Sequence, residues 1–309
     1  MFPGQGSQYV GMGKALAQTF SICRETLEQA DAALGEPLSK LCFEGPAETL
    51  TLTENTQPAV LAVSVAVYRL LVSRGLRPAL AAGHSLGEYS AHVAAGTISF
   101  ADALHTVRGR GRYMQEAVGV GEGAMAAVLG LSVEIVDQAC EEAAKGEVVS
   151  TANLNAPGQV VIAGTREAVS RASTRAKDLG AKRVVSLNVS APFHCALMEP
   201  AQARLEPELR SLVVSDPDIP IIANVDAKPK RDAFSAIEAL VKQVSAPVQW
   251  EAVVRYLFSS GIRMFVEVGP GTVLSGLVKK TERQAQVASV DDPDGLAKLE
   301  ALLAKGSSN

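Results

Sequence analysis

The sequence predicts an α/β protein in which a small ferredoxin-like domain interrupts a larger domain. Two patterns support this fold class: residues 78–95 change from a short apolar stretch to a glycine-rich turn and then a helix pattern, and residues 123–189 follow the order β-α-β-β-α-β. Helix and strand patterns of the larger domain resume after residue 191. We therefore predict a large domain from residues 1–121 and 191–309, and an inserted domain at residues 122–190.

The amino-acid composition is that of a globular protein with a sizeable core. Of the 309 residues, 47% are hydrophobic and 20% are charged, and the formal net charge is −4. Because nucleic-acid-binding domains are usually basic, this balance argues against nucleic acid as the main partner. An anionic ligand would need a local cluster of basic residues.

Cysteine usage and the absence of targeting patterns bear on location. The four cysteines form no Cys-x-x-Cys pair and show no metal-type spacing with histidine, so we expect free thiols, a reducing compartment and no metal. No signal-peptide pattern opens the sequence, and the longest apolar run, residues 58–68, is too short to cross a bilayer. We expect a cytoplasmic protein that does not enter a membrane.

The centre of the first pattern is the run Gly83-His84-Ser85-Leu86-Gly87. A serine between two such glycines, after a buried strand and before a helix, is typical of a nucleophile elbow. The tight turn excludes bulky side chains at the glycine positions, and the helix N-terminus directs free N–H groups toward developing negative charge. The alternative is a glycine-rich turn whose serine has no chemical role.

A serine hydroxyl needs a general base, and histidine is the usual one. The chain has four histidines: His84, His92, His105 and His194. The first belongs to the turn itself, and the next two fall within helix patterns, where a structural role is more common. His194 lies on a loop where the chain returns from the inserted domain, and loops carry catalytic residues disproportionately. We therefore favour His194, and the choice stays open at this point.

Arginines on one predicted helix are candidates for binding an anion. Arg108, Arg110 and Arg112 fall in the helix pattern at residues 100–118. Residues two apart on a helix point about 200° apart, so the three cannot all face one pocket. The pattern does not choose among them.

Six short motifs follow one another along the chain. They are Phe2-Pro3-Gly4-Gln5-Gly6-Ser7-Gln8, Gly83-His84-Ser85-Leu86-Gly87-Glu88, Asn155-Ala156-Pro157-Gly158-Gln159, Pro192-Phe193-His194, Pro247-Val248-Gln249-Trp250 and Glu267-Val268-Gly269-Pro270-Gly271. In this order they resemble the malonyl-CoA:acyl carrier protein transacylase family, the acyltransferases of fatty acid and polyketide synthesis. The resemblance implies an α/β-hydrolase-like large domain with a parallel sheet and an inserted ferredoxin-like domain.

The resemblance also assigns catalytic roles to positions in this sequence. It implies that Ser85 is the nucleophile and His194 its base, and that the backbone carbonyl of Gln249 orients the histidine. It further implies that Gln5 and Leu86 form an oxyanion hole with their backbone N–H groups. A neutral orienting group suits a base that only moves a proton between a serine and a thiol.

A substrate and a reaction follow from the same resemblance. Arg110 would bind the free carboxylate of a malonyl group, Phe193 would fill space beside the acyl α-carbon, and Asn155 would lie near the site. The implied reaction is ping-pong: malonyl-CoA acylates the serine, and the phosphopantetheine thiol of an acyl carrier protein collects the malonyl group. No cofactor is implied.

The implied partner is an acidic acyl carrier protein that binds transiently to a monomer. Five basic residues are candidates for its docking, and for each of them a solvated surface position is an equal alternative: Lys182, Arg183, Lys228, Lys230 and Arg231.

Two other functions stay open. A serine hydrolase, such as a thioesterase acting on carrier-bound acyl groups, needs the same serine and histidine. The other is a carrier-docking protein without catalysis, and this alternative is suggested only by the N-terminus of the sequence. The family carries a short apolar strand before its first motif, whereas this sequence starts at Met1. We therefore expect either a sheet without its first strand or a start upstream of Met1.

Overall fold

Helices form the larger part of the computed structural model, which describes residues 1–119, 121–189 and 191–306. The α-helices of these residues are α1 (Lys14–Thr19), α2 (Ser21–Leu34), α3 (Leu38–Glu44), α4 (Ala47–Thr51), α5 (Thr53–Ser73), α6 (Leu86–Ala94), α7 (Phe100–Glu116), α8 (Val133–Ala144), α9 (Arg166–Asp178), α10 (Glu199–Ser211), α11 (Ala233–Gln243), α12 (Trp250–Ser259), α13 (Val273–Thr281) and α14 (Pro293–Gly306). The strands are β1 (Ala81–Ala82), β2 (Gly123–Leu129), β3 (Val149–Ala156), β4 (Gln159–Thr165), β5 (Arg183–Ser186), β6 (Ile221–Ile222), β7 (Pro229–Lys230), β8 (Met264–Val268) and β9 (Gln286–Val290).

The strands of the large part are short, and the main pairs are parallel. β1 pairs parallel with β6, β8 pairs parallel with β9, and β7 adds an antiparallel edge to β6. The first two residues connect these sets, because Phe2 forms a parallel bridge with Gly83 and Met1 hydrogen-bonds to the backbone of Val266 and Val268.

Both faces of these parallel strands are buried. Ala81 and Ile221 belong to an apolar cluster that contains α5, whereas Ala82 and Ile222, the next residues along each strand, belong to a second cluster that contains α12. Successive side chains of a strand point to opposite faces, so helices cover the sheet on both sides.

Strands β2 to β5 form a separate four-stranded antiparallel sheet in the order β3-β4-β2-β5. Helices α8 and α9 contribute to its apolar core together with Val128, Val160 and Ile162. The element order is β-α-β-β-α-β, and the predicted fold class is confirmed. The assignment of residues 122–190 as a domain of its own stays a prediction, and its last residue, Ser190, lies outside the described residues.

Backbone hydrogen bonds attach the antiparallel sheet to the large part. Leu154 of β3 donates its N–H to the carbonyl of Val248, and Val248 donates to the carbonyl of Ala152. The segment before α12 is therefore held against the edge strand β3. This attachment brings β3 next to the turn that contains Ser85. The antiparallel sheet and this turn border a cleft.

Helix α5 is the one helix of the described residues that is long and apolar enough to cross a membrane, with a mean hydropathy of 1.4 over its most apolar stretch. Of that stretch, 78% is buried inside the protein. The predicted apolar run, residues 58–68, forms its middle. Helix α5 packs against α2, α6 and α7, as the core helix of a globular protein does.

Candidate active site

Ser85 lies in a sharp turn between β1 and α6. Its backbone φ is 51° and its ψ is −110°, a region that residues other than glycine rarely adopt. A Cβ at Gly83 would lie 1.9 Å from the carbonyl carbon of Gly87, and one at Gly87 would lie 2.1 Å from the carbonyl oxygen of Phe2. The turn therefore has room only for glycine at both positions, as the motif predicts.

The hydroxyl of Ser85 contacts the imidazole of His194. The Ser85 Oγ to His194 Nε2 distance is 2.7 Å, although the two residues are 109 positions apart in the chain. On the other side of the ring, Nδ1 lies 2.9 Å from the carbonyl oxygen of Gln243 and 3.2 Å from that of Ala246. Carbonyl oxygens only accept hydrogen bonds, so Nδ1 carries the proton. Nε2 is then free to accept the proton of the Ser85 hydroxyl.

The surroundings of His194 disfavour its protonated form. The side chain is buried, with 2% of the residue exposed. Burial, followed by the positive charge of Arg110, lowers the pKa of His194 to about 3. The imidazole is therefore neutral at neutral pH, which is the state that a general base requires.

The expectation for Gln249 is corrected by the hydrogen bonds of its backbone. The carbonyl of Gln249 accepts from the N–H of Val253 in the first turn of α12, and its own N–H donates to the carbonyl of Asn224. The two carbonyls that meet His194 belong instead to Gln243 and Ala246, and the nearer is that of Gln243, the last residue of α11. The last carbonyls of a helix have no partner within it, so this one is available to the imidazole.

Arg110 is the arginine of α7 that faces Ser85. Its guanidinium donates to the side-chain oxygens of Gln57 and Gln243, both at 2.9 Å, and to Ser85 Oγ at 3.2 Å. Arg108 instead pairs with Glu36, and Arg112 lies over the ring of Tyr113. This difference agrees with the helical geometry, because Arg108 and Arg112 each lie two positions from Arg110 and point away from the face that it occupies.

The charge of Arg110 is not neutralised by an ion pair with a carboxylate of the described residues. Arg110 is 1% exposed, and burial lowers its pKa. Because guanidinium stays protonated in proteins, a buried cation here is open to an anionic ligand. Neutral amide oxygens hold the group in place without cancelling its charge.

A cleft of about 480 Å³ opens above Ser85. Six of the predicted site residues line it: Gln5, Ser85, Leu86, Arg110, Phe193 and His194. Within the described parts of the chain, the backbone N–H groups of Gln5 and Leu86 donate to no protein acceptor, so both can bind an oxygen of a ligand.

Asn155 lies one step behind the lining of the cleft. Its Oδ1 is 2.9 Å from Nε2 of His84, which does line the cleft, and Asn153 of the same strand lines it directly. Sequence reasoning missed Asn153, Gln57 and Gln243. The sequence does carry a signal for Gln57, because this polar residue stands at the start of an apolar run. In the structure it is 1% exposed.

The groups that line the cleft suit acyl transfer through the serine. Its side chains provide a hydroxyl, a neutral imidazole beside it and a guanidinium without an ion-pair partner, and its backbone provides free N–H groups. Across the parts of the chain that the structure describes, no cluster of three histidine, cysteine, aspartate or glutamate side chains could hold a metal ion.

Comparison with known proteins places this site in a family. The family model described as "Acyl transferase domain" matches residues 1–298. A malonyl CoA-acyl carrier protein transacylase of Escherichia coli (strain K12) is 49% identical over 298 residues, which cover 96% of each chain.

Solved structures are similar along nearly the whole length. An acyl carrier protein S-malonyltransferase from Vibrio cholerae superposes with a TM-score of 0.95 at 46% identity, over 96% of this chain and 98% of its own. A malonyl-transacylase in complex with its type II PKS acyl carrier protein superposes with a TM-score of 0.94 at 46% identity, over 96% of each chain. The chain described here therefore belongs to the acyl transferase domain family.

Proposed function

We propose that the protein transfers a malonyl group from malonyl-CoA to the phosphopantetheine thiol of an acyl carrier protein, through a malonyl ester of Ser85. The observation that supports it most directly is that an imidazole and a guanidinium both contact the hydroxyl oxygen of Ser85. Ser85 Oγ lies 2.7 Å from Nε2 of His194 and 3.2 Å from the guanidinium of Arg110. The names of the similar proteins point to the same substrates.

In the first half-reaction, Ser85 Oγ attacks the thioester carbonyl of malonyl-CoA. His194 Nε2 takes the hydroxyl proton while the C–O bond forms, and the N–H groups of Gln5 and Leu86 bind the oxyanion. The C–S bond then breaks, and the CoA sulfur leaves as a thiol with the proton that His194 returns. The imidazole is neutral again at the end of this step.

In the second half-reaction, the phosphopantetheine thiol gives its proton to His194 and attacks the malonyl ester. The C–O bond to Ser85 breaks, and the serine recovers its proton from His194. Each half-reaction returns the imidazole to its neutral state. His194 therefore needs a hydrogen-bond acceptor that orients its ring, and it needs no permanent negative charge beside it. The carbonyl of Gln243 is such an acceptor.

Selection of a malonyl group is assigned to Arg110. Its guanidinium would bind the free carboxylate, and a hydrogen bond to a charged group contributes about 1.5–3 kcal/mol. Phe193, which is 9% exposed, would pack beside the acyl α-carbon. Asn155 would act indirectly, by holding His84 at the edge of the cleft.

The acyl carrier protein would dock on basic side chains of the surface. Lys182, Arg183, Lys228 and Arg231 are exposed and can contact an acidic partner, whereas Lys230 already pairs with Asp226. We propose a monomer that acts in the cytoplasm without a cofactor or a metal. The four cysteines are buried and unpaired with one another, which suits a reducing compartment.

The test compares the native protein with Ser85→Ala in transfer of labelled malonyl from malonyl-CoA to a holo acyl carrier protein. We expect the native protein to form a malonyl adduct on Ser85, detectable by intact mass, and to pass it to the carrier thiol. The variant should do neither. Equal transfer by both proteins would overturn the proposal.

Hydrolysis of the adduct, carrier binding and labelling by a serine-directed phosphonate separate the two alternatives. If water cleaves the malonyl adduct as fast as the carrier thiol does, the protein is a hydrolase. If carrier binds but a serine-directed phosphonate fails to label Ser85, the protein docks carriers without catalysis.

A further inference from the structure

The backbone of Ser85 is strained and is held by two amide side chains. Its positive φ of 51° belongs to a class of conformations that residues other than glycine rarely adopt and that surrounding contacts must hold in place. Its N–H donates to Oδ1 of Asn224 at 2.7 Å, and its carbonyl accepts from Nε2 of Gln243 at 2.8 Å. The two amides come from different elements, one after β6 and one at the end of α11.

Both amide residues are bound by a single carboxylate, that of Glu88. Its Oε2 accepts from Nε2 of Gln243 at 2.8 Å and from the backbone N–H of Asn224 at 3.1 Å. Glu88 lies three residues after Ser85 in α6 and is 0% exposed. Its second oxygen, Oε1, has no hydrogen-bond partner among the described residues.

The contact with Glu88 also decides which way the Gln243 amide faces. A carboxylate only accepts hydrogen bonds, so the NH₂ end of Gln243 must turn toward Glu88. Its oxygen then faces Arg110, from which it accepts at 2.9 Å. The opposite orientation would place two donors, the amide and the guanidinium, against each other.

We propose that Glu88 is a positioning residue of the active site, fixing through Gln243 and Asn224 both the backbone of Ser85 and the direction of the Arg110 guanidinium. The inference rests on the proposed function in one respect, which is that Arg110 binds the carboxylate of the acyl group. Glu88 itself is not among the residues that line the cleft, so its carboxylate would not contact a substrate bound there. Its effect is on the geometry of groups that do.

The charge state of Glu88 gives this role a pH dependence. Burial raises its pKa to about 7, with the negative charge of Asp226 acting in the same direction, whereas the hydrogen bonds from Gln243 and Asn224 and the charge of Arg110 act in the opposite direction. Below that pH the protonated carboxyl group of Glu88 can donate a hydrogen bond. It then no longer requires the NH₂ end of the Gln243 side chain to face it. Activity should therefore fall as pH decreases through about 7.

Two neighbouring titratable groups do not change their protonation near pH 7, so they would not cause this loss of activity. His194 has a pKa near 3, and burial raises the pKa of Tyr89 to about 12.

The test measures acylation of Ser85 by malonyl-CoA and by acetyl-CoA in the native protein, Glu88→Ala and Glu88→Gln, with intact mass as the readout. We expect Glu88→Ala to slow malonyl acylation about 10- to 100-fold. The preference for malonyl over acetyl should fall about tenfold, because Arg110 loses its fixed direction. A loss of folded protein alone would lower both rates equally and leave their ratio unchanged.

Glu88→Gln tests the orientation of the hydrogen bonds. Its amide oxygen can accept from Gln243 but cannot titrate, so it should recover part of the malonyl preference and lose the decrease in rate near pH 7. Glu267→Gln is the matched control, because Glu267 is also 0% exposed and its partners among the described residues are the backbone N–H groups of Leu274 and Ser275 at the start of α13, away from Ser85. It should leave the malonyl preference unchanged.

The outcomes separate the two proposals. If the native protein takes up no malonyl group, the proposed function fails. If it does, and Glu88→Ala keeps the native malonyl preference while Glu88→Gln keeps the native pH profile, the role assigned to Glu88 is wrong. Should Glu88→Ala fail to fold, the pH profile and malonyl preference of Glu88→Gln decide alone.

Discussion

The region around Ser85 and the antiparallel sheet of β2 to β5 are built from different interiors. Beneath Ser85, five buried polar side chains are at most 1% exposed and bond to one another or to the turn: Gln57, Glu88, Arg110, Asn224 and Gln243. The core of the antiparallel sheet is almost entirely alanine, valine, leucine and isoleucine. The first region surrounds the proposed nucleophile, and the second supplies a wall of the cleft.

This difference has an energetic consequence. Burying polar and charged groups costs free energy unless each is hydrogen-bonded, and even then the net gain is small. Apolar burial in the sheet stabilises at about 25 cal/mol per Å². Removing one member of a buried polar network leaves its partners unpaired, so substitutions near Ser85 should change the chemistry and can also lower stability. Substitutions in the sheet should lower stability alone.

The largest expected effect comes from removing the base. His194→Ala leaves the Ser85 hydroxyl without a proton acceptor, so acylation by malonyl-CoA should slow about 10²- to 10⁴-fold, measured by rapid-quench detection of the acyl adduct. His105→Ala is the control, because this exposed histidine lies on α7 and has no contact with Ser85. A His194→Ala protein that acylates at the native rate would show that another group takes the proton.

The next effect concerns the substrate carboxylate. Arg110→Ala removes the buried guanidinium, and the preference for malonyl-CoA over acetyl-CoA should fall about 10- to 150-fold in competition experiments. Arg112→Ala, two residues along the same helix and exposed, should leave the ratio unchanged. An unchanged ratio in Arg110→Ala would assign malonyl selection to another residue.

Local patterns predicted the turn and the antiparallel sheet. The β-α-β-β-α-β order follows from apolar periodicity, and glycine at 83 is required by a contact with Gly87 in the same turn. Glycine at 87 is required by a contact with Phe2, which is distant in the sequence, so only the motif indicated it. The parallel pairing of β1 with β6 brings together residues 140 positions apart.

The residue that orients His194 could not be found in the same way. Gln243 and Gln249 lie six positions apart, and both sit at helix ends. Which carbonyl is free depends on where α11 ends and α12 begins, and helix boundaries are the least certain part of a prediction from sequence. The motif drew attention to Gln249, whose carbonyl is used by α12 itself.

The smallest expected effect on chemistry comes from the interior of the antiparallel sheet. Ile162 of β4 is 1% exposed and packs in the apolar core, so Ile162→Ala should lower the free energy of unfolding by about 2–5 kcal/mol, measured by urea denaturation. Val213→Ala, at a position that is 90% exposed, should change it by less than about 0.5 kcal/mol.

The comparison between the two regions also requires the acylation rates of Ile162→Ala with malonyl-CoA and with acetyl-CoA. The malonyl preference of folded Ile162→Ala should stay native, because the side chains that hydrogen-bond to Ser85 among the described residues, those of Asn224, His194, Arg110 and Gln243, all lie outside this sheet. If the preference falls with stability, the antiparallel sheet shapes the site as strongly as the polar residues do. The division between a chemical region and a supporting wall would then be wrong.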